Sequence, residues 1–238
     1  MLIVPQNWAE NLAFVRSHVA SAAAAAGRDP TQITLVAVSK AQPLEAMRAV
    51  RALGVADFGE NYPQEALAKI KALADDTLRW HFIGQIQSKK TRAIAEHFAW
   101  VHSLDRLQIA RRLNAQRPFH APPLNVCLQV KLEQEPTKAG VPPELVKPLA
   151  DEVVGLERLR LRGLMCIPPA SDDVTRQRQW FAQLRELQSE LNGAGHALDA
   201  LSMGMSGDYE AAVHEGATHL RIGTAIFGAR PEGAGFKL

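Results

Sequence analysis

Apolar positions fall into two alternating rhythms along this chain. Over residues 6–26, Trp8, Leu12, Val15 and Val19 recur at spacings of four, three and four, which places them on one face of a helix. The alanines at 22–26 suit a closely packed helix end, and Gly27 suits its cap. Beyond this helix come eight short apolar runs, at 33–39, 56–60, 80–85, 99–104, 124–130, 161–167, 198–203 and 219–222. Most are too short for helices, and several are rich in β-branched or aromatic residues, so the pattern predicts strands. Helical spacings separate them: Leu44, Met47 and Val50; Leu67, Ile70 and Leu73; Leu107, Ala110 and Leu113; Leu145, Leu149 and Val153; and Trp180, Leu184, Leu187 and Leu191. Pro43 fits the first turn of its helix, where a missing N–H costs nothing. Gly54 and Gly216 fit left-handed caps just before strands.

Eight strands alternating with helices over about 200 residues predict an α/β fold, a single (β/α)₈ TIM-type barrel with an additional N-terminal helix. An open doubly wound sheet is the alternative. No linker or shift in composition divides the chain, so residues 1–238 are expected to form one domain, with the helix of residues 1–27 packed on it. Arg158, Arg160 and Arg162 alternate with leucines, which a strand buried on both faces should not do. The sixth strand is therefore expected to start at Leu161.

The composition is that of an ordinary globular protein, 47% hydrophobic and 22% charged, which excludes a wholly disordered or coiled-coil chain. With 27 Lys and Arg against 25 Asp and Glu, the net charge of +2 gives no electrostatic case for nucleic-acid or membrane-surface binding. The longest stretch free of charged side chains, 118–130, holds three prolines and falls short of the roughly 20 apolar residues of a membrane span. The first residues lack the basic and apolar regions of a secretory leader. Cys127 and Cys166 lie in apolar runs and are expected to be buried thiols of a cytoplasmic protein.

A barrel gathers its active groups at the C-terminal ends of its strands. Those ends hold Ser39 and Lys40, Glu60 and Asn61, Gly84 and Gln85, His102 and Ser103, Lys131, Ile167 and Pro168, Ser202 to Gly204, and Arg221 followed by Gly223 and Thr224. A lysine at the end of an apolar strand, if partly desolvated, keeps more of its amine neutral and nucleophilic, as Schiff-base formation with an aldehyde requires. From spacing alone, Lys40 reads more simply as a solvated lysine past a strand. Gly223 and Thr224, ahead of a short apolar segment, match the phosphate position of many barrels, with Ser202 and Ser206 as further hydroxyl donors. Ser206 also reads as the N-cap of the helix holding Tyr209 and Val213. His81 and His102 read as satisfied core histidines. His214 and His219 are separated by a glycine and would not share a helix face, so no metal site is expected. Lys89 to Arg92 reads as a solvated first helical turn capped by Ser88.

Five motifs in order are less generic: Val38-Ser39-Lys40, Phe58-Gly59-Glu60-Asn61-Tyr62-Pro63-Gln64-Glu65, Trp80-His81-Phe82-Ile83-Gly84, Leu201-Ser202-Met203-Gly204-Met205-Ser206, and Arg221-Ile222-Gly223-Thr224-Ala225-Ile226-Phe227-Gly228-Ala229-Arg230. Together they closely resemble the pyridoxal phosphate homeostasis protein family over nearly the whole chain. The resemblance implies a barrel like the N-terminal domain of alanine racemase, with pyridoxal 5′-phosphate (PLP) at the strand ends. It makes Lys40 the aldimine lysine and Arg221 the partner of the pyridine nitrogen. Gly223, Thr224, Ser202 and Ser206 fall at the phosphate, and Asn61 beside the ring. Lys89 and Lys131 stand where the family commonly has Asn.

The implied role is intracellular homeostasis of PLP, buffering it or delivering it to PLP-dependent apo-enzymes, without catalysis. A racemase-like PLP enzyme is the alternative. That route needs two opposed acid/base groups, and the only tyrosines, Tyr62 and Tyr209, lie in predicted helical segments. A Schiff-base aldolase shares the barrel and the lysine, and an absorbing cofactor in the purified protein separates it from the other two.

Overall fold

The computed structural model describes residues 7–133 and 139–229. Arg230, at the end of the last motif, lies outside them. The first helix, α1 (Trp8–Ala25), is capped by Asn7, whose side-chain oxygen accepts from the Glu10 N–H at 3.2 Å. Leu12, Val15 and Val19 are buried against the rest of the molecule, as their spacing predicts. Gly27 ends the helix at φ +64°, and Arg28 then ties this corner to the Val213 and Ala217 carbonyls, each at 2.7 Å.

Eight parallel strands close into a barrel in sequence order. They are β1 (Thr34–Val38), β2 (Asp57–Glu60), β3 (Arg79–Phe82), β4 (Trp100–Leu104), β5 (Leu124–Val130), β6 (Leu159–Cys166), β7 (Ala200–Ser202) and β8 (His219–Ile222). Around them lie α2 (Leu44–Ala52), α3 (Pro63–Leu73), α4 (Thr91–His97), α5 (Leu107–Gln116), α6 (Pro143–Val154), α7 (Val174–Gly193), α8 (Tyr209–His214) and α9 (Thr224–Phe227). Each apolar run of the sequence overlaps a strand, although β3 starts one residue before its run and β6 two, and the open sheet is excluded by the pairing of β1 with β8. Gly54 and Gly216 hold φ +86° and +95° between helix and strand, the left-handed caps that their positions predict.

Three local expectations are corrected. β6 starts at Leu159, not Leu161, because the register skips one residue: Val126 faces Leu161 and Cys127 faces Gly163. Arg162 is the bulged residue, and the bend sends its guanidinium to the rim, paired with Asp199 at 2.7 Å and lying 4.9 Å from the Trp100 ring centre. Arg160 is exposed at the same rim, so the two-sided burial of an inner strand does not yet apply to it. Ser88 opens a 3₁₀ turn with Lys89 and Lys90, and α4 begins only at Thr91, whose hydroxyl donates to the Ser88 carbonyl at 2.9 Å. Tyr62 precedes α3 rather than lying in it, and is 39% exposed at the C-terminal side of β2.

Most of the apolar core lies between strands and helices. The barrel interior differs: Trp100, Cys127, Met165 and Ala200 fill one layer, and His81, His102 and His219 pack around Trp100. Both cysteines are buried and free, and burial pushes their thiols up to about 12.

Candidate functional site

The register brings the sequence candidates together at the C-terminal mouth. Val38 pairs with Gly59, so Lys40 and Asn61, each two residues further on, stand side by side. Ala37 pairs with Ile222, which sets Gly223 and Thr224 on the other side of the β1 end. Lys40 is half-buried.

The turn that carries Lys40 is held by side chains that sequence reasoning left unassigned. Lys69, on α3, donates to the Ser39 carbonyl at 2.6 Å, to Glu60 Oε1 at 2.8 Å and to Glu65 Oε1 at 2.6 Å. Ser39 Oγ donates to the same Glu60 oxygen at 2.6 Å. Glu65 Oε1 also accepts from the Ala41 N–H at 2.6 Å, which fixes Ala41 at φ +59°, a left-handed conformation that a residue with a Cβ rarely adopts. Ser39 and Ala41 flank Lys40, so both of its backbone neighbours are anchored to one buried cluster. Two carboxylates share one ammonium there, and burial raises the Glu60 carboxyl above its ordinary range, against the pull of Lys69.

On β8, the neighbour of β1, Arg221 pairs in register with Val36 and is buried. Its Nη1 donates to Ser202 Oγ at 2.7 Å and its Nη2 to the Cys166 carbonyl at 2.9 Å. Among the described residues it forms no ion pair, and burial lowers its pKa. Ser202 is fully buried, with its hydroxyl between Arg221 and His102 Nδ1, the latter at 2.6 Å. That placement commits the oxygen to His102 and Arg221 in the barrel interior. Ser206 reaches the start of α9: its Oγ accepts from the Ala225 N–H at 3.2 Å. It is not the cap of α8, where Asp208 precedes the helix and accepts from the Met205 N–H at 2.6 Å.

Gly223 leads into α9 with no side-chain cap, and Thr224 is exposed. A Cβ at 223 would meet Val38 at an ordinary 3.5 Å, so packing within the protein does not itself demand glycine. At Gly84 packing does: a Cβ there would lie 2.2 Å from the Asn61 carbonyl oxygen. The glycine lets β3 support the Asn61 backbone, while Asn61 Oδ1 is buried with no hydrogen-bond partner among the described residues.

Lys131 lies further round, half-buried on a cavity of about 250 Å³ whose lining includes Cys166, Ile167, Pro168 and Glu133. Lys89 is exposed. The residues missed by sequence reasoning are Glu60, Glu65 and Lys69 as a cluster, together with Asp57, which accepts from His81. The i, i+4 spacing of Glu65 and Lys69 was the available signal, and it reads as a surface pair until α3 is laid against β2.

The alanine racemase N-terminal domain family matches residues 5–231. The pyridoxal phosphate homeostasis protein of Pseudomonas aeruginosa is 58% identical over 226 residues, covering 95% of this chain and 97% of its own. The protein of that name from Escherichia coli K12 is 48% identical over 225 residues, 93% of this chain and 96% of its own. The structure of PipY from Synechococcus elongatus PCC7942 with PLP bound has a TM-score of 0.83 at 39% identity, covering 93% of this chain and all of that one. With that likeness extending along the whole barrel, the chain belongs to the pyridoxal phosphate homeostasis protein family, within the wider alanine racemase N-terminal domain family.

Proposed function

We propose that this protein binds PLP at the C-terminal mouth of its barrel, holds it covalently through Lys40, and buffers or delivers it to apo-enzymes in the cytoplasm without turning over amino acids. The donor set fits the group. Lys40 supplies an amine that condenses with the aldehyde and releases water. Gly223 leaves room for the phosphate, and Thr224 and Ser206 supply hydroxyls beside it. Asn61 flanks the ring with an oxygen that lacks a hydrogen-bond partner among the described residues. PLP, when bound to an amine, supplies an electron sink for charge developing at the neighbouring carbon.

Two features together support the non-catalytic reading, Arg221 and the placement of the two tyrosines; an arginine at the ring nitrogen does not by itself forbid catalysis. A guanidinium only donates, and this one is buried with no carboxylate paired to it among the described residues. Facing a ring nitrogen, it requires that nitrogen to accept and to stay unprotonated, which weakens the electron sink. Alanine racemization by opposed groups would need a second acid/base beside Lys40. Tyr209 is buried at the start of α8, which leaves Tyr62 as the exposed tyrosine.

The test is exchange of the alanine α-proton in heavy water, followed by NMR, on the PLP-loaded protein and on Lys40→Ala and Tyr62→Phe variants. Slow exchange that needs Lys40 and ignores Tyr62 supports the reading. Turnover near the roughly 1–10³ s⁻¹ of typical enzymes, lost in Tyr62→Phe, would favour the racemase-like alternative.

A further inference from the structure

A row of polar side chains runs through the inside of the barrel from its N-terminal rim to Arg221. At the rim, Arg79 grips Asp57 with two hydrogen bonds, at 2.7 and 2.6 Å. Asp57 Oδ1 lies 2.9 Å from His81 Nε2, His81 Nδ1 lies 2.9 Å from His102 Nε2, and His102 Nδ1 lies 2.6 Å from Ser202 Oγ. Ser202 Oγ then accepts from Arg221 Nη1 at 2.7 Å. Both imidazoles and the serine are wholly inaccessible to solvent.

The two ends of this row dictate its direction. An ionised carboxylate only accepts, so His81 carries a hydrogen on Nε2. If His81 is neutral, its Nδ1 is bare and accepts from His102 Nε2–H. The His102 Nδ1 is then bare in turn and takes the Ser202 hydroxyl hydrogen. Ser202 is left presenting only lone pairs to Arg221, which only donates. The reverse polarity fails at both ends: a bare nitrogen would face Asp57, and His102 and Arg221 would both aim N–H groups at Ser202 while its own hydrogen had no acceptor in the row. A proton added to either ring breaks the row at one joint. Burial lowers the proton affinity of both rings, and holds His102 well below the ordinary histidine value. Besides Asp57, Arg79 and Arg221 in the row itself, the titratable group facing them is His219 on β8, whose ring lies 6.2 Å from His81 and 5.7 Å from His102.

We propose that Asp57, His81, His102 and Ser202 form a one-way positioning relay that fixes Ser202 as a hydrogen-bond acceptor and thereby holds the Arg221 guanidinium for the ring of the cofactor. This inference rests on the reading that PLP lies against Arg221. Asp57, His81 and His102 act through Arg221 and are positioning residues, not catalytic ones. In this assignment Ser202 serves the ring nitrogen through Arg221, and the phosphate is left to Gly223, Thr224 and Ser206.

Two measurements test it. The first is ¹⁵N NMR of histidine-labelled, cofactor-free protein, with the rings assigned through His81→Gln and His102→Asn variants. The expected result is two neutral rings, each with its hydrogen on Nε2, from about pH 5 to 8. A charged ring or an Nδ1–H tautomer at either position would overturn the relay. The second is the pH titration of the bound cofactor's absorbance. His102→Leu removes the acceptor for Ser202, whereas His102→Asn keeps an oxygen near the Nδ1 position. The apparent pKa should move by about one unit, a tenfold change in proton affinity, in the Leu variant and stay near wild type in the Asn variant. A folded, PLP-loaded Leu variant with the wild-type titration would overturn the proposal. If that variant does not fold, Ser202→Ala against Ser202→Thr makes the same comparison. A wild-type protein that takes up no PLP would overturn the cofactor reading and the relay's role toward the ring, while the NMR pattern would still decide its direction.

Discussion

Two buried polar groups lie beneath the mouth of this barrel, one between α3 and the first two strands and one inside the barrel, and they are built on opposite principles. Beneath Lys40, Glu60, Glu65 and Lys69 form an ionic cluster in which one ammonium donates to two carboxylates and to the Ser39 carbonyl. Beneath Arg221, two imidazoles and a hydroxyl form a row whose charge is confined to its ends. The cluster fixes a position, because strong attraction to a central cation pins a strained turn. The row fixes a direction, because each neutral ring has one donor and one acceptor and passes its orientation on. Burial also acts on them with opposite signs. It raises the Glu60 carboxyl toward its neutral form and lowers His81, His102 and His219 toward theirs.

The sharpest break in this comparison is Lys69→Met. It leaves two buried carboxylates without their cation, and the loss of one partner of a buried pair costs about 3–5 kcal/mol. Urea unfolding should show a loss of that size, and a Lys69→Met/Glu60→Gln double variant should recover part of it. A loss below about 1 kcal/mol would mean that the cluster behaves as a surface ion pair.

Acid should act on the neutral row. Groups whose folded pKa lies below the unfolded one contribute stability above the unfolded value and lose it as pH falls. His219, lowered to about 3, therefore withdraws stability from about pH 6.5 down to 3, at about 1.4 kcal/mol per pH unit, and His81 and His102 act in the same direction. Asp57 is opposed by burial but held at about 2 by His81 and Arg79, and it adds its share only below its ordinary value near 3.8. Glu60 has the reverse sign: its raised pKa favours the folded state on the acid side and offsets one such slope. Urea midpoints measured from pH 7 to 4 should fall, and His219→Asn should flatten the fall. Midpoints independent of pH would contradict neutral buried rings.

A smaller effect sharpens the division of labour at the mouth. If Ser202 serves Arg221 and Thr224 serves the phosphate, Thr224→Val should weaken PLP binding by about 1.5–3 kcal/mol, the worth of a hydrogen bond to a charged group. Unphosphorylated pyridoxal should be nearly unaffected. Equal losses for the two ligands, measured by fluorescence titration, would remove Thr224 from the phosphate.

The barrel was legible in the sequence because its signals are local. Short β-branched runs, helical spacings and glycines at Gly54 and Gly216 each report on their own few residues. Lys40, Asn61, Arg221, Gly223 and Thr224 were legible as a set for the same reason, since a parallel barrel carries every strand end to one mouth. What escaped depends on partners distant along the chain. His102 and Ser202 are 100 residues apart, so the commitment of the serine hydroxyl cannot be read from the Ser202 motif. Lys69 looks like an exposed helical lysine until α3 covers β2. Arg162 looks like a break in a strand until the β5–β6 register reveals the bulge that carries it outward.

The central claim is that Lys40 carries the cofactor. It is tested most directly by loading the protein with PLP, reducing with borohydride and mapping the labelled peptide by mass spectrometry. The account predicts one pyridoxyl adduct, on Lys40, and no label in Lys40→Ala. Label spread over Lys89, Lys90 or Lys131, or label at full yield in Lys40→Ala, would contradict it.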